Sequence, residues 1–251
     1  MSVTMVDVRR VLSALLLEHS PADYDSKAIL NALSSIAQPD ALVGLIDSVR
    51  ADSRALASCA SRSFRHPLGF DKIMLLNCLP LFSLRIHVWW PSDTAGVEHI
   101  HNHRFNFVSF AVRGGYTMET FQADGDSGII MAEYQETLTQ KRKWELRRLG
   151  DAYIQPLCTV AVKQGSGYEL QADTLHKVTV EPGSMCITIF LQTTQIRTTT
   201  RVFTQPEGCV PIQSPKEVFS TRVYRRRLET IASELLSGPD AYTSSPLIRQ
   251  L

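Results

Sequence analysis

The chain has 251 residues, 44% of them hydrophobic and 20% charged, which is typical of a globular protein and excludes a disordered or collagen-like one. Its 26 Lys and Arg residues against 25 Asp and Glu leave a net charge of +1. A net charge this small produces only a weak electrostatic field, which does not hold a polyanion. We therefore expect a small molecule or another protein as the partner, and no nucleic acid.

Targeting and redox signals point to the cell interior. Charges within residues 1–10 interrupt the apolar core that a secretory signal needs, and no run approaches the roughly 18 apolar residues of a membrane span. We expect a cytoplasmic protein without a membrane partner. The five cysteines are widely spaced and form no CxxC pair, so we expect reduced, mostly buried thiols and no disulfide framework.

An N-terminal helical layer is predicted over residues 1–65. Apolar residues recur every three or four positions from Val6 to about Ser63, which is the spacing of amphipathic helices. Pro21 and Pro39 fall at breaks in this pattern, each followed by an Asp that can cap a helix, so about three helices are expected.

An all-β segment is predicted over residues 66–205. After His66 the chain consists of short runs rich in β-branched and aromatic residues, separated by Gly- and Pro-containing turn signals. Within residues 83–90 apolar side chains alternate with partly polar ones. A barrel or sandwich with a functional interior produces such an alternation.

Helical spacing returns from about Lys216 to Leu236, so residues 206–251 are expected to form a C-terminal helix and a tail. The arginines within residues 222–227 form either a solvated helix face or a patch for an acidic partner. Neighbouring glutamates dilute the charge and favour the solvated face. The three segments together are expected to form a single functional domain.

Histidines form the most informative pattern. His99, His101 and His103 lie at alternate positions, and residues i and i+2 of a strand share a face. Two neighbouring imidazoles can thus face one metal ion, and the pair is either His99 with His101 or His101 with His103. His176, just past a turn at the start of another strand-like run, is the best third ligand. A polar cluster on a sheet surface explains this pattern less well than metal binding does.

These residues resemble the two motifs of the cupin superfamily, small β-barrels that bind one metal ion inside the barrel. The first motif, with Gly115 at its end, fits His101 and His103 and favours that pair, and the second motif fits His176. Phe107 or Val108 stands where the motif has a metal-binding Glu.

A cupin without this Glu is most similar to the thiol dioxygenase branch, the cysteine-dioxygenase-like proteins, whose iron is held by three histidines. The likeness covers roughly residues 99–191. It implies a mainly β fold: a cupin-like jelly-roll barrel with the N-terminal helical layer and the C-terminal helix around it. It also implies Fe(II) on His101, His103 and His176, and O2 as a co-substrate.

The chemistry of three imidazoles can be stated without the family. On one face of an octahedral ion they leave three positions for substrate and O2. The same nitrogens also suit zinc with one open position, as in hydrolytic zinc enzymes. Iron is preferred through the resemblance. Zn, Ni, Mn and Cu stay open, as does a homodimer.

Three side chains are predicted to handle the substrate: Arg85, His87 and Tyr168. A guanidinium inside a barrel is costly unless it meets an anion, so Arg85 is expected to hold a substrate carboxylate. The alternative is an outward-facing arginine, because a shift of one residue reverses the face. Arg65 and Arg113 are the next candidates for this anchor, and Tyr168 is a candidate hydroxyl donor.

The predicted function is that of a non-haem iron(II)-dependent oxygenase acting on a small polar substrate, amino-acid-like or thiol, that carries a carboxylate. Two alternatives use the same site. One is a metal-dependent isomerase, lyase or hydrolase in which the ion is a Lewis acid. The other is a metal-binding cupin without turnover.

Overall fold

The computed structural model describes residues 3–17, 24–123, 125–138, 144–206 and 217–237. Within these ranges helices flank two antiparallel sheets. The helices are α1 (Met5–Leu17), α2 (Ser26–Ile36), α3 (Pro39–Ala51), α4 (Ser53–Ala60) and α5 (Thr221–Leu236). The strands are β1 (Phe64–Arg65), β2 (Asp71–Cys78), β3 (Phe82–Trp89), β4 (Gly96–Val97), β5 (Ile100–His101), β6 (Phe105–Arg113), β7 (Tyr116–Ala123), β8 (Ile129–Leu138), β9 (Trp144–Val162), β10 (Gly167–Leu170), β11 (Leu175–Val180), β12 (Cys186–Gln195), β13 (Thr199–Thr204) and β14 (Glu217–Val218).

The N-terminal layer differs from the sequence expectation, because residues 39–60 form two helices and not one. The side chain of Asp52 accepts hydrogen bonds from the backbone N–H groups of Arg54 and Ala55. These are two of the donors that the first turn of a helix leaves unpaired, so Asp52 caps a new helix there. The layer in the described residues therefore has four helices, where about three were expected.

The first sheet has the strand order β10-β6-β12-β3-β2-β1-β14, and the second has the order β4-β11-β5-β13-β8-β9-β7. In the second sheet β11 also pairs with β7, and His176 lies opposite both His101 on β5 and Thr120 on β7. The second sheet therefore closes on itself. Its long β8–β9 hairpin accounts for the large separation in sequence between His103 and His176.

The two faces of the first sheet have different roles. Its outer face packs under the helices, with buried apolar residues of α1 to α5 in one continuous core. Its inner face, which carries Arg85, His87 and Phe190, lies towards the histidines of the second sheet. The prediction of a mainly β fold with a cupin-like pair of sheets, N-terminal helices and a C-terminal helix is confirmed.

Helix α5 begins later than the sequence suggests. Glu217 and Val218 pair with β1 as a short strand, and the Ser220 side chain then caps the helix through the N–H of Val223. Tyr224, Leu228, Ile231 and Leu235 are buried as the helical spacing indicates. Of the arginine cluster, Arg227 is not simply solvated, because its Nε lies 2.9 Å from the buried carboxylate of Asp71.

Two smaller expectations have mixed outcomes. Cys59 and Cys186 are buried free thiols, but Cys158 is exposed, because residues 157–161 of β9 lie at the surface; Cys209 lies outside the described residues. Among the described residues no single helix is long and apolar enough to cross a membrane. Only α2 and α3 taken together reach that length, and they are bent by 81°.

Candidate metal centre

Three histidines converge between the two sheets. His101 ends β5, His103 lies in the short irregular segment that leads to β6, and His176 is the second residue of β11. Their ring centroids are 4.7 to 5.1 Å apart, and their ligand atoms lie within 4.8 Å of one another. The structure thus brings together the three ligands predicted from the sequence. His103 reaches the group from an irregular segment, however, and not from the strand on which the HxH pattern was placed.

Backbone carbonyl groups orient two of the rings. The Nδ1 of His101 lies 2.9 Å from the carbonyl oxygen of His99, and the Nδ1 of His176 lies 3.2 Å from that of Thr174. A hydrogen bond at Nδ1 fixes the ring and the tautomer and leaves Nε2 for a metal ion. His99, the alternative ligand, is exposed. It contacts His101 through its backbone carbonyl group and not through its ring.

All three imidazoles are held in the neutral form that metal binding requires. Burial is the main cause: it lowers the pKa of His101, lowers that of His103 further, and lowers the pKa of His176 to about 3. The neighbouring histidines lower the pKa values of His103 and His176 further, because adjacent imidazolium ions repel one another. The donor set therefore fits one divalent transition-metal ion.

Two buried asparagines, which the sequence reasoning did not single out, join the ligand segments. The Oδ1 of Asn106 accepts a hydrogen bond of 2.8 Å from the N–H of Ala172, and the N–H of His103 donates to the carbonyl group of the same alanine. Ala172 opens the turn that leads to His176. On the other side, the Oδ1 of Asn102 accepts from the N–H of Arg201 on β13. The HxH segment is thus fastened to the segments on both sides of it.

Aromatic rings close one side of the centre. The Phe107 ring lies 4.8 Å from the ring of His103 and 5.7 Å from that of His176, and it stacks on Phe190 at 4.4 Å. Phe105 stacks on His103 at 5.3 Å. Phe107 therefore stands beside the ligands at one of the positions where the cupin motif has its Glu, and it offers no ligand atom.

Arg85 lies on the inner face of β3, only 3% exposed. Its Nε donates to the Nε2 of His87 at 3.1 Å, its Nη1 donates to the Oε1 of Gln192 at 2.8 Å, and its guanidinium lies 4.2 Å from the ring of Phe190. Within the described part of the chain no carboxylate pairs with it. Burial, followed by repulsion from Arg104, lowers the pKa of Arg85 to about 9, so the group is still charged at neutral pH.

The remaining predicted residues lie nearby. His87 is buried, and burial together with the charge of Arg85 lowers its pKa well below the ordinary value, so it accepts a hydrogen bond as a neutral ring. Tyr168 is half-buried beside Phe107, and its hydroxyl accepts a hydrogen bond from that of Tyr116 at 3.0 Å.

The two other arginines considered as anchors face carboxylates elsewhere. Arg65 lies 3.1 Å from a carboxylate oxygen of Asp71, and Arg113 lies 3.6 Å from one of Glu234 on α5. Neither arginine is therefore placed to anchor a substrate at the centre, and of the predicted arginines Arg85 is the one beside the histidines.

No family model and no curated protein matches the chain. Solved structures similar to it include an RmlC-like cupin from Shewanella frigidimarina NCIMB 400, 13% identical over 52% of this chain and 81% of that chain, with a TM-score of 0.31. Hydroquinone 1,2-dioxygenase PnpCD in complex with Cd2+ and 4-hydroxybenzonitrile is 16% identical over 52% of this chain and 66% of that chain, with a TM-score of 0.32. Fe(II)-HppE with an alternative substrate is 12% identical over 49% of both chains, with a TM-score of 0.30. Similarity at this level does not identify an activity.

Proposed function

We propose that the chain is a non-haem iron(II)-dependent oxygenase acting on a small, carboxylate-bearing substrate, amino-acid-like or thiol. One observation carries the proposal: three neutral imidazoles converge next to a buried arginine that has no carboxylate partner among the described residues. The three imidazoles suit a metal ion with open coordination positions, and the arginine suits an anionic substrate beside that ion.

His101, His103 and His176 would hold the ion through one nitrogen each. When bound, Fe(II) would supply the electrons and the open coordination positions that a reaction with O2 needs. Among the described residues no carboxylate joins the three imidazoles, and Phe107 stands beside them instead. The site would therefore keep the full charge of the ion, which favours an anionic substrate group.

Arg85 would bind the substrate carboxylate. A planar guanidinium offers several N–H donors, and two of them are already directed by His87 and Gln192. These contacts hold the guanidinium in place before a substrate arrives, which lowers the entropy lost on binding. His87 would accordingly be a positioning residue that acts through Arg85.

Phe105, Phe107 and Phe190 would exclude water from the reacting atoms, because their rings cover the side of the centre next to Arg85. The hydroxyl of Tyr168 accepts from Tyr116, which leaves its own proton available for donation to a substrate atom. Burial raises the pKa of Tyr168, so the hydroxyl would donate a hydrogen bond and stay protonated.

Metal analysis and oxygen uptake test the proposal. The purified protein should hold about one iron per chain after reconstitution, and His101→Ala and His176→Ala should each lose it. His99→Ala is the matched control and should keep it. Oxygen uptake with small thiols and amino acids should then require iron. Metal retained by both ligand variants, or turnover that continues under argon, would contradict an oxygenase at this site.

A further inference from the structure

A buried carboxyl group lies inside the barrel near the metal centre, and the proposed function does not use it. Glu98 stands between β4 and β5, where its N–H donates to the carbonyl group of Val178 at 3.0 Å, and it is only 7% exposed. In the part of the chain that the structure describes, no Lys, Arg or His pairs with it. Burial raises the pKa of Glu98 to about 8, because a carboxylate without a cation is unfavourable there.

Aromatic rings surround this part of the barrel. Trp89 on β3 reaches across to β4, where a Cβ on Gly96 would lie 2.9 Å from its Cδ1. The Trp89 ring lies 6.3 Å from that of Tyr116, which lies 6.4 Å from that of Tyr168. The charge of a Glu98 carboxylate also contributes, after burial, to the raised pKa of Tyr168.

A second buried oxygen acceptor, the hydroxyl group of Thr188, lies on the inner face of the first sheet and has no hydrogen-bond partner within the described residues. Thr188 on β12 lies opposite His87 of β3 and is 2% exposed, and its Oγ1 makes no hydrogen bond within the described residues. Thr188 precedes Phe190 by two positions, so the two side chains lie on the same, inner face of the first sheet. A buried hydroxyl left without a partner costs free energy that a ligand donor would recover.

We propose that Glu98 and Thr188, with the rings of Trp89, Tyr116 and Tyr168, form an amine site that binds a protonated amino group of the substrate away from the metal. Oxygen acceptors and aromatic faces are the groups that recognise an ammonium ion. The inference rests on the proposed function in placing the substrate inside the barrel, with its carboxylate at Arg85. The substrate is then an amino acid whose carboxylate binds at Arg85 and whose amino group binds at the amine site.

Calorimetric titration of the iron-loaded protein under argon with matched probes tests this inference. The probes are 4-aminobutyrate against butyrate and 5-aminopentanoate against pentanoate, which differ by the amino group alone. For at least one chain length we expect the amino acid to bind ten-fold or more tightly than the plain acid. In Glu98→Gln this ratio should fall to about one, whereas in the control Glu181→Gln, at an exposed turn, it should persist.

Equal affinity of both members of each pair for the unmodified protein would overturn the inference, as would a ratio that survives in Glu98→Gln. Should that variant fail to fold, Thr188→Val removes the second acceptor with little change of volume and should reduce the ratio at least three-fold. An unchanged ratio in Thr188→Val would then overturn the inference. Binding is measured without turnover, so failure of the oxygenase proposal in oxygen uptake is distinguished from failure of the amine site.

Discussion

The hydrogen bond between Asn106 and Ala172 should contribute to metal affinity, and its removal gives the sharpest test of how the centre is built. Asn106→Ala leaves the buried N–H of Ala172 without an acceptor, which costs about 1–3 kcal/mol. For a domain of this length about 2 kcal/mol lowers Tm by roughly 4–8 °C. The same bond holds the turn before His176 against the HxH segment, so metal affinity should fall about 10–100-fold, as is typical when a group supporting a ligand is lost.

A competition titration against a chelator measures the affinity, and urea unfolding measures the stability. Thr193→Val is the matched control, since the Thr193 hydroxyl donates a buried hydrogen bond of equal length, 2.8 Å, to the backbone carbonyl group of Asn106 itself. This control should lose comparable stability and keep its metal affinity. If Asn106→Ala loses stability but binds metal as the unmodified protein does, the bond supports the fold alone and the reasoning is refuted.

Three further predictions concern single charged groups. Arg85→Lys should weaken binding of a carboxylate-bearing substrate ten-fold or more with metal content unchanged, because an ammonium loses the planar geometry; loss of iron instead would make Arg85 structural. Asp71→Asn should lower stability by about 2 kcal/mol by thermal unfolding, since Arg65 and Arg227 lose a common buried partner but are themselves partly exposed; no change in Tm would contradict it. Between pH 4.5 and about pH 8 the Glu98 carboxyl group is protonated in the folded state and ionised in the unfolded state, because its pKa is raised in the folded protein. The free energy of unfolding therefore falls as the pH rises through this range. The free energy of unfolding relative to Glu98→Gln should therefore fall by on the order of 3 kcal/mol from pH 5 to pH 8, and a flat difference by urea titration would refute this.

The convergence of His101, His103 and His176 could be predicted because it depends largely on local spacing. Alternate histidines within five residues indicate convergence on one ion whichever sheet carries them, and the position of His176 just past a turn supplied the third. The helices were predicted for the same reason, since their apolar period is visible in the sequence. Asp52 was missed because a single capping residue, without a proline beside it, leaves the helical period almost uninterrupted.

Other parts of the site depend on contacts that local sequence does not contain. The face of Arg85 was left open because it follows from the pairing of β3 with β12, which places Gln192 and Phe190 beside it. Glu98 is an ordinary polar residue in a polar stretch, and Asn106 is a single polar residue between Phe105 and Phe107 in an apolar stretch. What distinguishes them is burial between distant strands, which becomes visible only when the two sheets face each other.

The closed second sheet has a consequence for how a metal ion would enter the candidate centre. His101 and His176 sit on strands that are paired along both edges, and their neighbours Ile100 and Leu175 point the other way into a separate apolar cluster with Phe121 and Phe203. The backbone around these ligands is therefore held by its own packing and does not depend on an ion for its shape. Unlike a small zinc finger, whose folding is driven by its metal, this centre should be emptied and refilled without unfolding, with amide hydrogens at the ligand strands exchanging slowly in both forms.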